Sequence, residues 1–154
     1  GELADTADVC VVGYFMGKGA RARFGIGALL GAVYEPETDT FKTVSKIGSG
    51  FTEDEFTELK KMLDAIALKH KHPRVDSVME ADVWVEPKYV VTVTADEITR
   101  SPSHTAGKDS EGVGYALRFP RAMGFLRDDK NPEDANTVKE IIEMFEQQRK
   151  VKVT

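Results

Sequence analysis

Apolar and polar positions along the chain fall into two periods. Val9–Phe15 is β-branched and aromatic and predicts a strand. Ile26–Tyr34 is a second apolar run that ends at the turn residues EPETDT, and Phe41–Ile47 alternates apolar with polar residues as a half-buried strand does. Short connections make an antiparallel meander the simplest arrangement of these three. Gly17–Gly25 between the first two reads as a loop or turn. The period then changes. Thr52 with Glu55 three residues on forms a capping box, and Phe56, Leu59, Met62, Leu63 and Ile66 follow at helical spacing, which predicts a helix ending near His70. Lys88–Ala95 returns to strand pattern, with Trp84–Val85 as a lead-in. Asp96–Gly112 reads as a loop. Gly114–Phe119 reads as a fifth strand, resumed at Met123–Leu126. Asn131 caps a last helix with Pro132 at its first position, and Val138, Ile141, Ile142 and Phe145 form its stripe.

Three strands, a helix, two strands and a terminal helix match the OB-fold layout: a mainly β, five-stranded Greek-key barrel with a helix between strands three and four. The barrel is expected over residues 1–130, with the C-terminal helix and tail of 131–154 packed on the same domain. The 154 residues fit one domain. No apolar run approaches the ~18 residues of a membrane span, and nothing resembling a secretion signal opens the chain. One cysteine, Cys10, excludes an internal disulfide and a multi-cysteine zinc site and is expected to be a buried thiol.

The net charge of −5 excludes a generally basic nucleic-acid coat. The acid excess concentrates in residues 51–86, with 5 basic and 9 acidic residues, so an anion-binding face must come from local patterning elsewhere. Gly13 and Gly17 enclose three residues rather than the four of a phosphate loop, and Lys18 is followed by Gly19, which has no hydroxyl for magnesium. That stretch is either a flexible hairpin or a basic turn, with Lys18, Arg21 and Arg23 set to follow phosphates. His70, His72 and His104 are expected to be solvated, and no nucleophile–base pair can be argued. The richest stretch is LRFPRAMGFLRDDK, residues 117–130, in which Arg118, Arg121, Arg127 and Lys130 interleave with Phe119 and Phe125. Arginine grips phosphate in two-point fashion, and an exposed Phe can wedge between nucleotide units; the alternative is ordinary surface cations with Phe119 in the core.

ADTADVCVVGYFMGKGARARFGIGALL, KIGSGFTEDEF, WVEPKYVVTVTADEITRSPSHT and LRFPRAMGFLRDDKNPEDA together resemble the C-terminal OB domain of ATP-dependent DNA ligases, the archaeal and eukaryotic replicative type above all. RFPR followed by R-x-D-K and a P-E-D-A helix start resembles the family's motif VI. The resemblance implies a three-step reaction: a lysine takes AMP from ATP, the AMP passes to a nick 5′-phosphate, and the nick 3′-hydroxyl displaces it. That lysine belongs to a nucleotidyltransferase domain, and its K-x-D-G motif is absent here. The chain is therefore expected to begin just after that domain, to hold no catalytic residue or metal of its own, and to be inactive alone. ATP and magnesium would be bound mainly by the nucleotidyltransferase domain. Arg121, Arg127 and Lys130 would meet the triphosphate in a closed orientation. In an open one, Arg118 and Phe119 would enter the minor groove of nicked duplex DNA, with Lys18, Arg21 and Arg23 on its backbone. The expected partners are nicked duplex and the nucleotidyltransferase domain, with no membrane, in cytoplasm if archaeal and nucleus if eukaryotic. Thr92 departs from the family, which often carries an acid there. Two other readings stay open: a free-standing OB module for single strands, disfavoured because most of the 13 aromatics fit core positions, and the OB domain of an mRNA capping enzyme.

Overall fold

The computed structural model describes residues 5–153, with side chains as far as Lys150. Strand β1 (Ala7–Phe15), β2 (Ala28–Glu35) and β3 (Thr40–Ile47) form the expected antiparallel meander. Helix α1 (Glu53–Asp64) follows, and its capping box is present: the Glu55 amide donates to Thr52 Oγ1 and the Thr52 amide to Glu55 Oε1. The helix stops six residues short of His70. The Ile66 amide tightens onto the Leu63 carbonyl, and the chain enters β4 (Ala67–Leu68). Three further short strands are β5 (Val75–Asp76), β6 (Val83–Val85) and β7 (Val90–Thr94). Trp84–Val85 is thus no lead-in but part of a separate strand, which pairs with both β4 and β1.

The predicted loop at 96–112 instead opens with β8 (Glu97–Ser101), paired antiparallel along its length with β9 (Gly114–Arg118). The strand expected to resume at Met123–Leu126 resumes earlier, as β10 (Arg121–Ala122) on β7. Asn131 starts only a short 3-10 turn, Pro132–Asp134, and makes no side-chain cap. The terminal helix α2 (Val138–Val153) is capped by Thr137, whose hydroxyl accepts from the Glu140 amide while Glu140 accepts from the Thr137 amide. The predicted loop at Gly17–Gly25 contains a 3-10 turn over Gly19–Phe24.

β10, β7, β1, β2 and β3 lie side by side in that order. β9 runs beside β3, and the seam between them is filled by residues 104–106. The Thr43 amide donates to Thr105 Oγ1 and the Thr105 amide to Thr43 Oγ1, the Ala106 amide donates to the Thr43 carbonyl, and the Tyr115 amide to the Ala106 carbonyl. The order is that of an OB fold. His104 lies in this seam, buried, with Nδ1 3.2 Å from Thr43 Oγ1. Its expected solvation is therefore wrong: the histidine is enclosed once β3 and β9 come together.

Alternation along the strands sorts the core. Val9, Val11, Leu29, Val33, Val91 and Val93 face inward with Phe56, Leu59 and Leu63 of α1. Cys10, Val12, Leu30, Ala32 and Phe41 face outward, where the connection between α1 and β7 covers them with Val75, Ala81 and Trp84. This second, smaller core explains why β1 and β2 read as continuous apolar runs. Helix α2 packs on the far side of β8, and the Gln148 side chain bonds both polar backbone atoms of Ile98: the Ile98 amide donates to Oε1 at 2.7 Å, and Nε2 donates to the carbonyl at 2.9 Å.

Candidate nucleic-acid and nucleotide interface

The segment 117–130 forms a corner. β9 ends at Arg118, and the next residue, Phe119, takes φ +53°, a left-handed conformation unusual for a residue with a side chain. Pro120 cannot extend the ladder, having no N–H. The chain then crosses to β7, where Arg121 and Ala122 pair with Thr94 and Val93. The turn after β3 clamps this corner from below: Ser49 Oγ donates to the Pro120 carbonyl (3.1 Å), and the Ala122 amide to the Ser49 carbonyl (2.9 Å). Gly50, at φ +100°, packs so closely that a Cβ there would meet the Ala122 carbonyl at 2.2 Å. The outcome is that Phe119 is 65% exposed to solvent, with the Arg118 guanidinium 4.9 Å from its ring centroid. Glu97 holds Arg118 in place at 3.1 Å. The alternative of Phe119 in the core is thereby removed.

Beyond the corner, Ala122 points into the core, so Arg121 and Met123 project outward on the face that carries Thr92. The Arg121 side chain is exposed and makes no hydrogen bond or ion pair among the described residues. Arg127 is pinned by two backbone bonds with Val90 (2.7 and 3.1 Å). Its guanidinium makes a two-point contact with Asp129, Nε and Nη2 each 3.2 Å from a carboxylate oxygen. Nη1 also reaches Thr92 Oγ1 (3.5 Å) and Asp8 Oδ2 (3.8 Å). Lys130 Nζ lies 2.6 Å from the same Asp8 oxygen, and Thr92 Oγ1 donates to Asp8 Oδ1 at 2.6 Å. Burial works to raise the Asp8 carboxyl, but the Lys130 and Thr92 hydrogen bonds and the charges of Lys130 and Arg127 outweigh it and hold the group below its ordinary range. The Arg127 contact likewise lowers Asp129.

The three cations of the first hairpin divide. Lys18 and Arg21 line an open cleft of about 510 Å³ together with Lys46, Asp82, Phe15 and Met16. Arg21 is held by the Gly27 carbonyl (3.0 Å) and lies over the Phe56 ring. Lys46 sits over the Phe15 ring, and Asp82 accepts from the Met16 amide. Arg23 is not among the cleft residues; it pairs with Glu53 on α1 at 2.5 Å. A Cβ on Gly48 would come within 3.0 Å of Arg21, so the turn that clamps the Phe119 corner also borders this cleft. The structure thus brings Lys18, Arg21, Arg118 and Phe119 to either side of one turn. It gathers Arg121, Arg127 and Lys130 on the outer face of β10, β7 and β1.

Sequence reading missed Asp8, Glu97, Lys46 and Asp82. Only Lys46 left a signal, as a polar position in an alternating strand. Among the described residues, no group of three or more His, Cys, Asp or Glu side chains could hold a metal ion, and no helix is long and apolar enough to cross a membrane. Burial drives the Cys10 thiol far above its usual range, so no thiolate nucleophile arises there.

Fold and site together define an OB-fold domain with an arginine–phenylalanine corner and a buttressed cation cluster. A family profile described as the ATP dependent DNA ligase C terminal region matches residues 22–130, and the chain belongs to this family. It is 61% identical over 153 residues to a probable DNA ligase of Dictyoglomus turgidum, covering 99% of this chain and 26% of that protein. It is 52% identical over 155 residues to a DNA ligase of Caldivirga maquilingensis, with 99% and 26% covered. The chain therefore spans about a quarter of the length of these relatives. Among solved structures, the ligase domain of M. tuberculosis LigD aligns with TM-score 0.60 and 26% identity over 85% of this chain and 38% of that one. A mycobacterial DNA ligase D complexed with ATP and MES aligns with TM-score 0.58 and 25% identity, over 86% and 38%. Family membership favours the ligase reading over the capping-enzyme and single-strand-module readings.

Proposed function

We propose that the domain serves DNA ligation in two stances. In the first, Arg121, Arg127 and Lys130 face ATP bound in a nucleotidyltransferase domain of the same polypeptide. As the bond between the α-phosphate and pyrophosphate breaks, charge builds on the leaving group, and fixed cations stabilise it. Magnesium would be bound mainly by the nucleotidyltransferase domain. In the second stance, Phe119 and Arg118 enter the minor groove beside a nick, where a wedge favours the widened groove that a broken strand adopts at low cost. Lys18, Arg21 and Arg23 would contact backbone phosphates.

The observation that carries this reading is the Phe119 ring, held outside the core by a left-handed backbone and stacked under Arg118. A core-packing role does not explain such a conformation. In a full-length ligase bearing this domain, Phe119→Ala should lower nick sealing about tenfold or more, a loss of about 1.4 kcal/mol of barrier stabilisation, while sparing self-adenylation. Arg127→Ala or Lys130→Ala should lower self-adenylation about 100-fold yet still seal pre-adenylated nicks. Equal effects of all three on both steps would refute the two-stance reading.

A further inference from the structure

Two of the three cations assigned to ATP are already paired. Lys130 lies 2.6 Å and Arg127 3.8 Å from one oxygen of Asp8. Asp8 comes from a different part of the chain and is fixed there. β1 pairs it with Thr92 on β7. Its amide donates to Asn136 Oδ1 at 2.7 Å, and its carbonyl accepts from the Asn136 amide at 2.9 Å. Its side chain is only 17% exposed, and its second oxygen is aimed by the Thr92 hydroxyl. Asp129, the other acid here, is 67% exposed and lies two residues from Arg127 on the same loop, so solvent screens it and it moves with its partner. A fixed, largely enclosed carboxylate therefore faces the ammonium of a long lysine side chain. Asp8 and Asp129 together balance the charges of Lys130 and Arg127. A polyphosphate gains full attraction from these cations only by drawing them off Asp8.

We propose that Asp8 is the resting counter-ion of Lys130 and Arg127, parking both on the domain's own surface and competing with the triphosphate for them. This rests on the ATP-facing role proposed for the two cations. It assigns Asp8 a positioning role that sets how tightly ATP is taken, with no contact to the reacting atoms. Thr92 is part of the device, because its neutral hydroxyl donates to Asp8 Oδ1 and aims the carboxylate. A carboxylate at 92 would add a second competing charge.

The expected signs separate this from a merely structural role. In a full-length ligase bearing this domain, Asp8→Asn should lower the KM for ATP in self-adenylation by about three- to tenfold without raising kcat. Thr92→Glu should raise it. Thr92→Val, which keeps the shape but loses the hydrogen bond that aims Asp8, should lower KM by a smaller factor and serves if Asp8→Asn folds poorly. With the 154-residue chain itself, calorimetric titration with inorganic tripolyphosphate should show tighter binding for Asp8→Asn by a similar factor. If Asp8→Asn and Thr92→Val leave KM and tripolyphosphate binding unchanged or weaker, the counter-ion role is overturned. Lys130→Ala is run in parallel. If it raises KM, such a failure belongs to Asp8 alone; if it leaves KM unchanged, the ATP-facing assignment fails and the role of Asp8 falls with it.

Discussion

His104 shows how a single residue departs from its sequence signal. It stands in a polar stretch, SPSHT, and nothing local distinguishes it from a solvated histidine. The closing of β3 against β9 encloses it, and desolvation lowers its pKa to about 4. A base whose folded pKa lies below its unfolded value of about 6.5 is protonated more readily in the unfolded chain. Stability should therefore fall as pH drops from about 6.5 to about 4, by up to about 3 kcal/mol, and level off below. Urea melts across this window should show the slope, and His104→Gln should flatten it. Asp8 acts in a separate, lower window. Its carboxyl is depressed, so its contribution is full above the ordinary carboxylate range and is lost as pH falls through its lowered value. Phe119 is the opposite case. Its segment was legible as chemistry from Arg–Phe–Pro–Arg alone, but its backbone conformation depends on Pro120, Ser49 and Gly50 meeting in space.

At the scale of elements, the meander, α1 with its capping box, and the strand at 90–94 were legible because each carries its period within a few residues. β8 was not. Its sequence EITRS is polar and short, and its partners are β9, thirteen residues further on, and a glutamine of α2. The terminal helix was placed correctly by its apolar stripe but started late, because Pro132–Ala135 closes a 3-10 turn and Thr137 supplies the actual cap. The Gly48–Gly50 turn carries no period at all, yet it locates the Phe119 corner. Gly50→Ala should cost about 2 kcal/mol or more, since the new Cβ meets both an unfavourable φ and the Ala122 backbone. Thermal melts of the 154-residue chain check the stability. A stable Gly50→Ala variant with β10 undisturbed would show that the turn does not clamp the corner.

For the molecule as a whole, a net charge of −5 is reconciled with a polyanion-facing role by partition. The acid excess lies in α1 and the connection after it, while the cations of the corner and cleft lie elsewhere. The Greek-key order was readable because few arrangements of these elements cover both faces of β1 and β2. The second core beneath Trp84 was not, since apolar runs do not say what will cover them. The bond pair between Gln148 and Ile98 has a consequence at this scale. Its amide plays the part of one more strand, so the free margin of the β8–β9 hairpin offers no template at that point to a second molecule. Gln148→Ala should leave the monomer folded but let chains zip together edge to edge, visible as concentration-dependent growth in sedimentation or light scattering. Helix α2 would thus double as a guard against fibrous stacking.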